Sequence, residues 1–287
     1  MFGRGAADMK AGLAIAMITV ADLRAEFERG DLPGSVLFHA AVGEEAAEPG
    51  TKTLLERGYD GDYGVVLEPT AMRTATSVKG CAYYEIEVAG ETAHAGQPED
   101  GRNALVRAIP VLEQLREYGQ AVSEREDSLV GPEHATLTML EAGVKENVVP
   151  GRAVVSMDRR FDPERTAAEI DQEIDEQLAT VEAATGVEAS WRRTRTYDSA
   201  SAPADGTLAE IFRRHSSSVA DVPSEEYGLT IATDMRNFVN DARMEAITWG
   251  PGAISQAHSV DEHVDLEEVA TGARILKRSV SALLQSG

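Results

Sequence analysis

The sequence predicts an α/β protein whose α/β domain is interrupted by an antiparallel insertion. Three observations carry this. Short apolar runs bounded by turn residues, at Val36–Phe38 with Ala40–Val42 and again at Gly64–Leu67, suit strands buried on both faces of a sheet. From about Ser77 the pattern changes to alternation. Tyr84, Ile86 and Val88 take one face of Cys81–Val88, and Glu85 and Glu87 the other, as in a half-exposed antiparallel strand. The order strand–helix–strand–strand–helix–strand is then complete within roughly residues 78–193, which is the ferredoxin-like βαββαβ pattern. The expected division is 1–77 and 194–287 for the two parts of the α/β domain and 78–193 for the insertion.

In chain order, Gly3–Lys10 leads into a helix over Ala11–Glu28, with Leu13, Met17, Val20 and Leu23 at helical spacing. Asp8 stands at its start, where Asp commonly caps a helix and where a functional carboxylate would also face the ligand edge of such a sheet. Gly30 to Gly34 turns the chain into SVLFHAAVGEEAAEPG, residues 35–50, a strand that ends at Gly43 in two adjacent carboxylates, Glu44 and Glu45. Ligands bind at the carboxyl ends of strands in open α/β sheets. Two neighbours cannot both point one way, so one can ligate a metal while the other faces a water; the plain alternative is a solvated acidic turn. Residues 51–58 read as a short helix, and Gly64–Leu67 as a second buried strand, ending in Glu68.

Within the insertion, Gly90–Gly101 is a loop carrying His94, helices are expected over 103–118 and 163–184, and strands over 135–140, 153–161 and 187–193. Residues 197–205 lead back to the first domain, and a helix follows over 208–219. Thr233-Asp234-Met235-Arg236 sits in a turn before another helix. Glu245–Trp249 is a strand ended by Gly250-Pro251-Gly252. The next loop holds His258, Asp261 and Glu262, and a helix over 266–284 closes the chain.

A hydrophobic content of 43% is ample for a core, and no apolar run reaches the roughly 18 residues a membrane span needs. No signal peptide is visible, so a cytoplasmic location is the expectation. The single cysteine, Cys81, rules out an internal disulfide and any multi-cysteine metal site. There are 49 acidic against 27 basic residues, a net charge of −22, which argues against a nucleic-acid partner because phosphate binding needs a basic footprint. Only five of the basic residues are lysine. Such an acidic, lysine-poor chain predicts a halophilic protein working in molar salt, where screening shortens to about 3 Å.

Asp8, Glu44, Glu45, Glu68 and His258 each fall at a strand end or helix start on one predicted sheet edge. Singly, each has a plain reading; a histidine in an exposed loop such as His258 is commonly a surface residue. Jointly, four acids and an imidazole on one edge repel unless a cation offsets them. Carboxylates with imidazole and no thiolate suit zinc, cobalt or manganese.

Six segments occur in order over nearly the whole chain: GRGAADMKAG, VGEEAAEPG, VLEPT, AGETAHAGQPEDGRNAL, ENVVPGRAVVSMDRRFDP and WGPGAISQAHSVDEHV. They resemble the dinuclear-metal amide hydrolases that include acetylornithine deacetylase, succinyl-diaminopimelate desuccinylase, aminoacylase and carboxypeptidase G. The resemblance implies a metal-binding α/β domain with a zinc-peptidase-like mixed sheet and an inserted lid that forms a homodimer. It implies cleavage of the amide bond of N-acyl amino acids or small peptides by a metal-activated water. By the same resemblance Asp8 bridges two metal ions, Glu45 and His258 hold one, Glu68 holds the other, and Glu44 is the general base. His94 reaches a neighbouring subunit's site to stabilise the tetrahedral intermediate. Arg160 with Asn147 binds the substrate carboxylate, a task suited to a planar guanidinium, and Thr233 is a further substrate-binding candidate. The Asp8–Met9 peptide is expected to be cis.

One departure bears on the metal count. The family opens with a strand ending in His-x-Asp, whereas this chain starts at Met1 inside the next motif. The expectation is two divalent ions in a protein carrying that segment and about one in these 287 residues, unless a residue such as His39 replaces the missing ligand. The departure also leaves a second reading, a non-catalytic relative that dimerises and binds ligand without turnover. Retention of Glu44 beside Glu45 favours the enzyme, since a pure binder has no use for a base.

Overall fold

A computed structural model describes residues 1–44, 49–127 and 129–286. In chain order the elements are α1 (Ala11–Arg29), α2 (Pro49–Glu56), β1 (Tyr63–Val66), β2 (Ala75–Val78), β3 (Gly80–Ala89) and α3 (Ala104–Val122). There follow β4 (Glu126–Asp127), β5 (Gly131–Pro132), β6 (His134–Ala142), β7 (Arg152–Phe161), α4 (Ala167–Thr185) and β8 (Ala189–Tyr197). The last are β9 (Ala200–Ser201), α5 (Thr207–Ala220), β10 (Tyr227–Leu229), β11 (Glu245–Thr248) and α6 (Leu266–Ser286). They form two compact units. One comprises Met1–Val78, Ala200–Leu229 and Thr233–Gly287, the other Lys79–Ser199 and Thr230–Ala232. No described helix is long and apolar enough to cross a membrane.

The first unit is built on a mixed sheet in the order β1-β11-β2-β10, with β9 paired to β2. β1 and β11 are parallel, in register from Tyr63↔Glu245 to Val66↔Thr248, so both strands end at the same sheet edge. β2 runs antiparallel to β11, and β10 runs parallel to β2. The core joins Ile15 of α1, Leu208 and Phe212 of α5 and Ile275 of α6 to Leu67, Ile247 and Trp249 beside the sheet. Trp249 is fully buried, and its indole N–H donates to the Met72 carbonyl at 2.8 Å and Ser216 Oγ at 3.0 Å, which satisfies its polar tip. Two glycines draw the chain tightly around the end of β1. A Cβ on Gly12 would stand 2.3 Å from the Leu67 carbonyl oxygen, and one on Gly250 2.6 Å from that of Glu68. Only glycine lets the first turn of α1 and the end of β11 approach so closely.

The strand expected over 35–42 is not formed. The segment carries no ladder pairing, and Leu37, Phe38 and Val42 are 54%, 37% and 73% exposed. The segment does not add to the sheet, whose edge strand β1 pairs only with β11, and an apolar run without a ladder partner cannot satisfy its backbone as a strand. It lies instead along α1, leaving a groove of about 800 Å³ lined in part by Met17, Val20, Phe27, Val36 and Phe38. β2 and β10 have no signature in the sequence, because ATSV and YGL are short and carry neither an apolar run nor alternation.

The second unit is a four-stranded antiparallel sheet, ordered β6-β7-β3-β8, whose chain order with α3 and α4 is βαββαβ. Tyr84, Ile86 and Val88 from β3 and Val155 and Met157 from β7 pack under Val111 and Leu115 of α3 and Ile170 and Ile174 of α4. Asn103 caps α3, its side chain accepting the Leu105 and Val106 N–H groups at 3.0 and 3.3 Å. Thr166 and Glu169 form a reciprocal capping box, which is why α4 begins at Ala167 rather than at Pro163. Beside this core, fully buried Arg159 donates to Glu133 at 2.5 Å and to Tyr118 Oη at 2.7 Å. Glu173 accepts from Arg125 and Arg165, each at 2.6 Å, and from Tyr118 at 2.5 Å. Burial pushes the Glu173 acid upward, but Tyr118, Arg125 and Arg165 outweigh it and bring it down to about 2.

Candidate functional site

Glu68 follows β1 at the edge where β1 and β11 end, and only 5% of it is exposed. Its acid is pushed well above the usual carboxylate range, first by burial, then by the Asp8 carboxylate, and further by Glu44 and Asp234. Glu68 therefore lies within electrostatic reach of three other carboxylates, each from a separate segment. Asp8 lies in an irregular turn over Ala6–Lys10, with an extended backbone at φ −115° and ψ 90°. The Asp8–Met9 peptide is cis, as the resemblance implies. Asp8 Oδ2 is 3.4 Å from Nε2 of His258, a residue whose φ of 60° is uncommon for anything but glycine.

Three further residues near this cluster carry no motif that marks them in the sequence. Asp234 is buried, accepting from the Thr51 hydroxyl and from Asn237 Nδ2 at 2.9 Å; burial pushes its acid upward, against the pull of Thr51, Lys52 and Asn237. Arg236 is buried as well, and burial lowers its guanidinium to about 10 against the pull of Glu44 and Asp241. Glu262 sits behind Asp8 and accepts the N–H groups of Gly5, Ala7 and Asp8 at 2.8, 3.0 and 3.1 Å. The TDMR turn and the VDE loop were visible in the sequence, but no spacing rule brings residue 262 to the amides of residues 5–8.

Glu45 lies outside the described residues. Thr233 is buried, its hydroxyl shared with that of Thr248 at 2.9 Å and accepting the Met235 N–H at 3.3 Å. His39 stacks on Phe238, ring centroids 5.9 Å apart, and burial lowers its pKa. In the second unit His94 bridges to Val148, and the Ala95 N–H donates to the Asn147 carbonyl at 2.9 Å, so His94 and Asn147 are neighbours. Arg160 stands at the far end of β7, opposite Cys81 and His134. Its fork is held by Asp158 at 2.8 and 2.9 Å, with Tyr83 Oη at 3.4 Å. At about 3.3 Å per residue the length of β7 puts Arg160 more than roughly 25 Å from Asn147 in one chain. The expected pairing of these two on one substrate carboxylate is therefore not made within a single chain.

Among the described residues no group of three or more His, Cys, Asp or Glu is already arranged to hold a metal ion. The donor set nevertheless fits a divalent cation. Hard carboxylate oxygens crowd a buried Glu68 and hold its acid form, an imidazole stands on Asp8, and a cation there would offset the mutual repulsion.

This fold and its acidic sheet edge are those of a hydrolase acting on amide or peptide bonds, in a family whose members depend on divalent metal. Residues 1–282 match the family described as Peptidase family M20/M25/M40, and the chain belongs to it. It is 28% identical to an acetylornithine deacetylase of Myxococcus xanthus, over 98% of this chain and 72% of that protein. It is 26% identical to a succinyl-diaminopimelate desuccinylase of Polynucleobacter necessarius, over 99% of this chain and 74% of that one. An M20 family metallo-carboxypeptidase from Sulfolobus solfataricus shares the fold at a TM-score of 0.75 and 14% identity, covering 99% of this chain and 78% of its own. An aminopeptidase from Bacillus cereus does so at 0.74 and 20% identity, covering 96% and 70%.

Proposed function

We propose that this protein hydrolyses the amide bond of N-acyl amino acids or small peptides, in the deacetylase, desuccinylase or carboxypeptidase manner. The observation that carries the reading is the buried Glu68 crowded by Asp8, Glu44 and Asp234, with His258 on Asp8. Asp8, Glu45, Glu68 and His258 would hold zinc, cobalt or manganese. When bound, such a cation polarises the scissile carbonyl and lowers the pKa of the attacking water. Glu44 accepts the proton of that water and passes it to the leaving nitrogen. The buried guanidinium of Arg236 interacts electrostatically with Glu44.

In this reading Arg160 receives the substrate carboxylate on N–H groups that Asp158 leaves free, with the fork oriented by that pair. His94 and Asn147 serve a neighbouring copy, which their distance from Arg160 in one chain supports. A homodimer through the second unit is the corresponding assembly. Leu105, Val106 and Ile109 of α3 and Met139 and Leu140 of edge strand β6 are exposed apolar side chains available to it.

The test is hydrolysis of acetyl-ornithine, succinyl-diaminopimelate and dipeptides with zinc, cobalt or manganese supplied. Turnover of one class is expected. Binding of these compounds without turnover under every metal sinks the reading.

A further inference from the structure

We propose that Glu262 is a positioning residue that sets the separation between Asp8 and His258. The proposal rests on the reading above, in which these two residues hold one metal ion. Glu262 is 2% exposed, and both of its carboxylate oxygens are used on a chain segment more than 250 residues away. Oε1 accepts the Ala7 and Asp8 N–H groups at 3.0 and 3.1 Å; Oε2 accepts the Gly5 N–H at 2.8 Å and Arg4 Nη1 at 3.2 Å. The backbone repeats the tie, since the Gly3 N–H donates to the Glu262 carbonyl at 2.9 Å and the Val264 N–H to that of Met1 at 3.0 Å. Glu262 follows His258 by four residues in the same loop. One carboxylate thus joins the main chain of Asp8 to the loop that carries His258.

A buried charge is costly unless it is fully hydrogen-bonded, so the residue type calls for a reason. The turn over Ala6–Lys10 departs from helical geometry at Asp8 and Met9. Its inward amides need acceptors, and a carboxylate is the side chain that offers two acceptor oxygens and no donor. Glutamine in its place would turn an NH₂ toward one set of N–H groups. The function of this clamp is the 3.4 Å approach of Asp8 to His258, because outer partners that orient metal ligands are worth about 10–100-fold in affinity.

The experiment titrates metal-free protein with Co(II), reading affinity and the visible absorption bands of the bound ion. Glu262→Gln is expected to bind about 10–100-fold more weakly, with altered bands. Val264→Ala, in the small apolar cluster with Ala6 and Ala11, is a control that loosens the same place without touching the amides. It is expected to keep the unmodified affinity. Wild-type affinity and bands in Glu262→Gln overturn the proposal, and so does an equal loss in Val264→Ala at matched melting temperature. If Glu262→Gln does not fold, hydrogen exchange in the unmodified protein decides. The Gly5, Ala7 and Asp8 amides gain protection on Co(II) binding, and unchanged exchange there overturns the proposal. A protein that takes up no Co(II), or a His258→Ala variant that takes it up undiminished, fails the metal assignment and the proposal with it. The other outcomes fail the proposal alone.

Discussion

In the proposed reading Glu44 and Glu68, one residue type, take opposite tasks through their surroundings. Glu68 is buried, and its acid is pushed upward first by burial and then by Asp8, Glu44 and Asp234. Glu44 is half-buried in the turn after Gly43 and interacts electrostatically with Arg236. The division of labour makes a prediction. Glu44→Gln should retain its metal and lose kcat by about 10²–10⁴, the usual worth of a general base. Metal analysis alongside steady-state kinetics checks it, and loss of metal with activity kept would reverse the assignment. Asp8 and Glu68 are legible as candidates because an acid at a helix start or strand end follows from one-dimensional pattern. Glu44, expected at the end of a strand that does not form, and His258, in a loop, rest instead on the motif resemblance. Asp234, Arg236 and Glu262 are not legible, since their roles depend on burial and on partners far away in sequence.

At the scale of elements, the βαββαβ unit hides an ionic network behind its apolar layer. Glu173 lies down at about 2, below the ordinary 4.3 or so of a free glutamate. A depressed carboxylate stabilises the fold fully above its unfolded pKa, and that stability is lost as pH falls through the folded value. Glu173→Gln should therefore melt a few degrees lower at pH 7, and the gap should close as pH falls from about 4.3 toward 2. Thermal melts across that range test it; a gap independent of pH would show that the ion pairs do not contribute through Glu173. The exposed stripe of α3 makes a separate prediction. Val106→Glu or Ile109→Glu places a charge in the proposed interface, so the dimer should dissociate while far-UV circular dichroism is unchanged. Sedimentation equilibrium reads this, and a monomeric unmodified protein, or dimeric variants, would remove the interface from α3.

Over the whole molecule the net charge of −22 is the dominant electrostatic fact. Surface pairs such as Arg152–Glu87 at 2.7 Å and Arg102–Glu91 at 2.8 Å are well exposed, and such pairs are worth little individually. Self-repulsion among the remaining acids opposes the compact state, and salt relieves it. Melting temperature should rise steeply with KCl into the molar range. A melting temperature indifferent to salt would sink the halophilic reading.

The sequence by itself determined the α/β class, the βαββαβ order and the run of motifs, because hydrophobic period, turn residues and acids at strand ends are local properties. It also pointed to the carboxylates of the sheet edge. Only the tertiary structure decided that residues 35–42 form no strand, since a strand requires a ladder partner and its own apolar pattern cannot supply one. Only the tertiary structure separated Arg160 from Asn147, because β7 stands between them as an extended rod. It alone brought Glu262 to the amides behind Asp8, a pairing set by packing across more than 250 residues of chain, which local propensity does not encode.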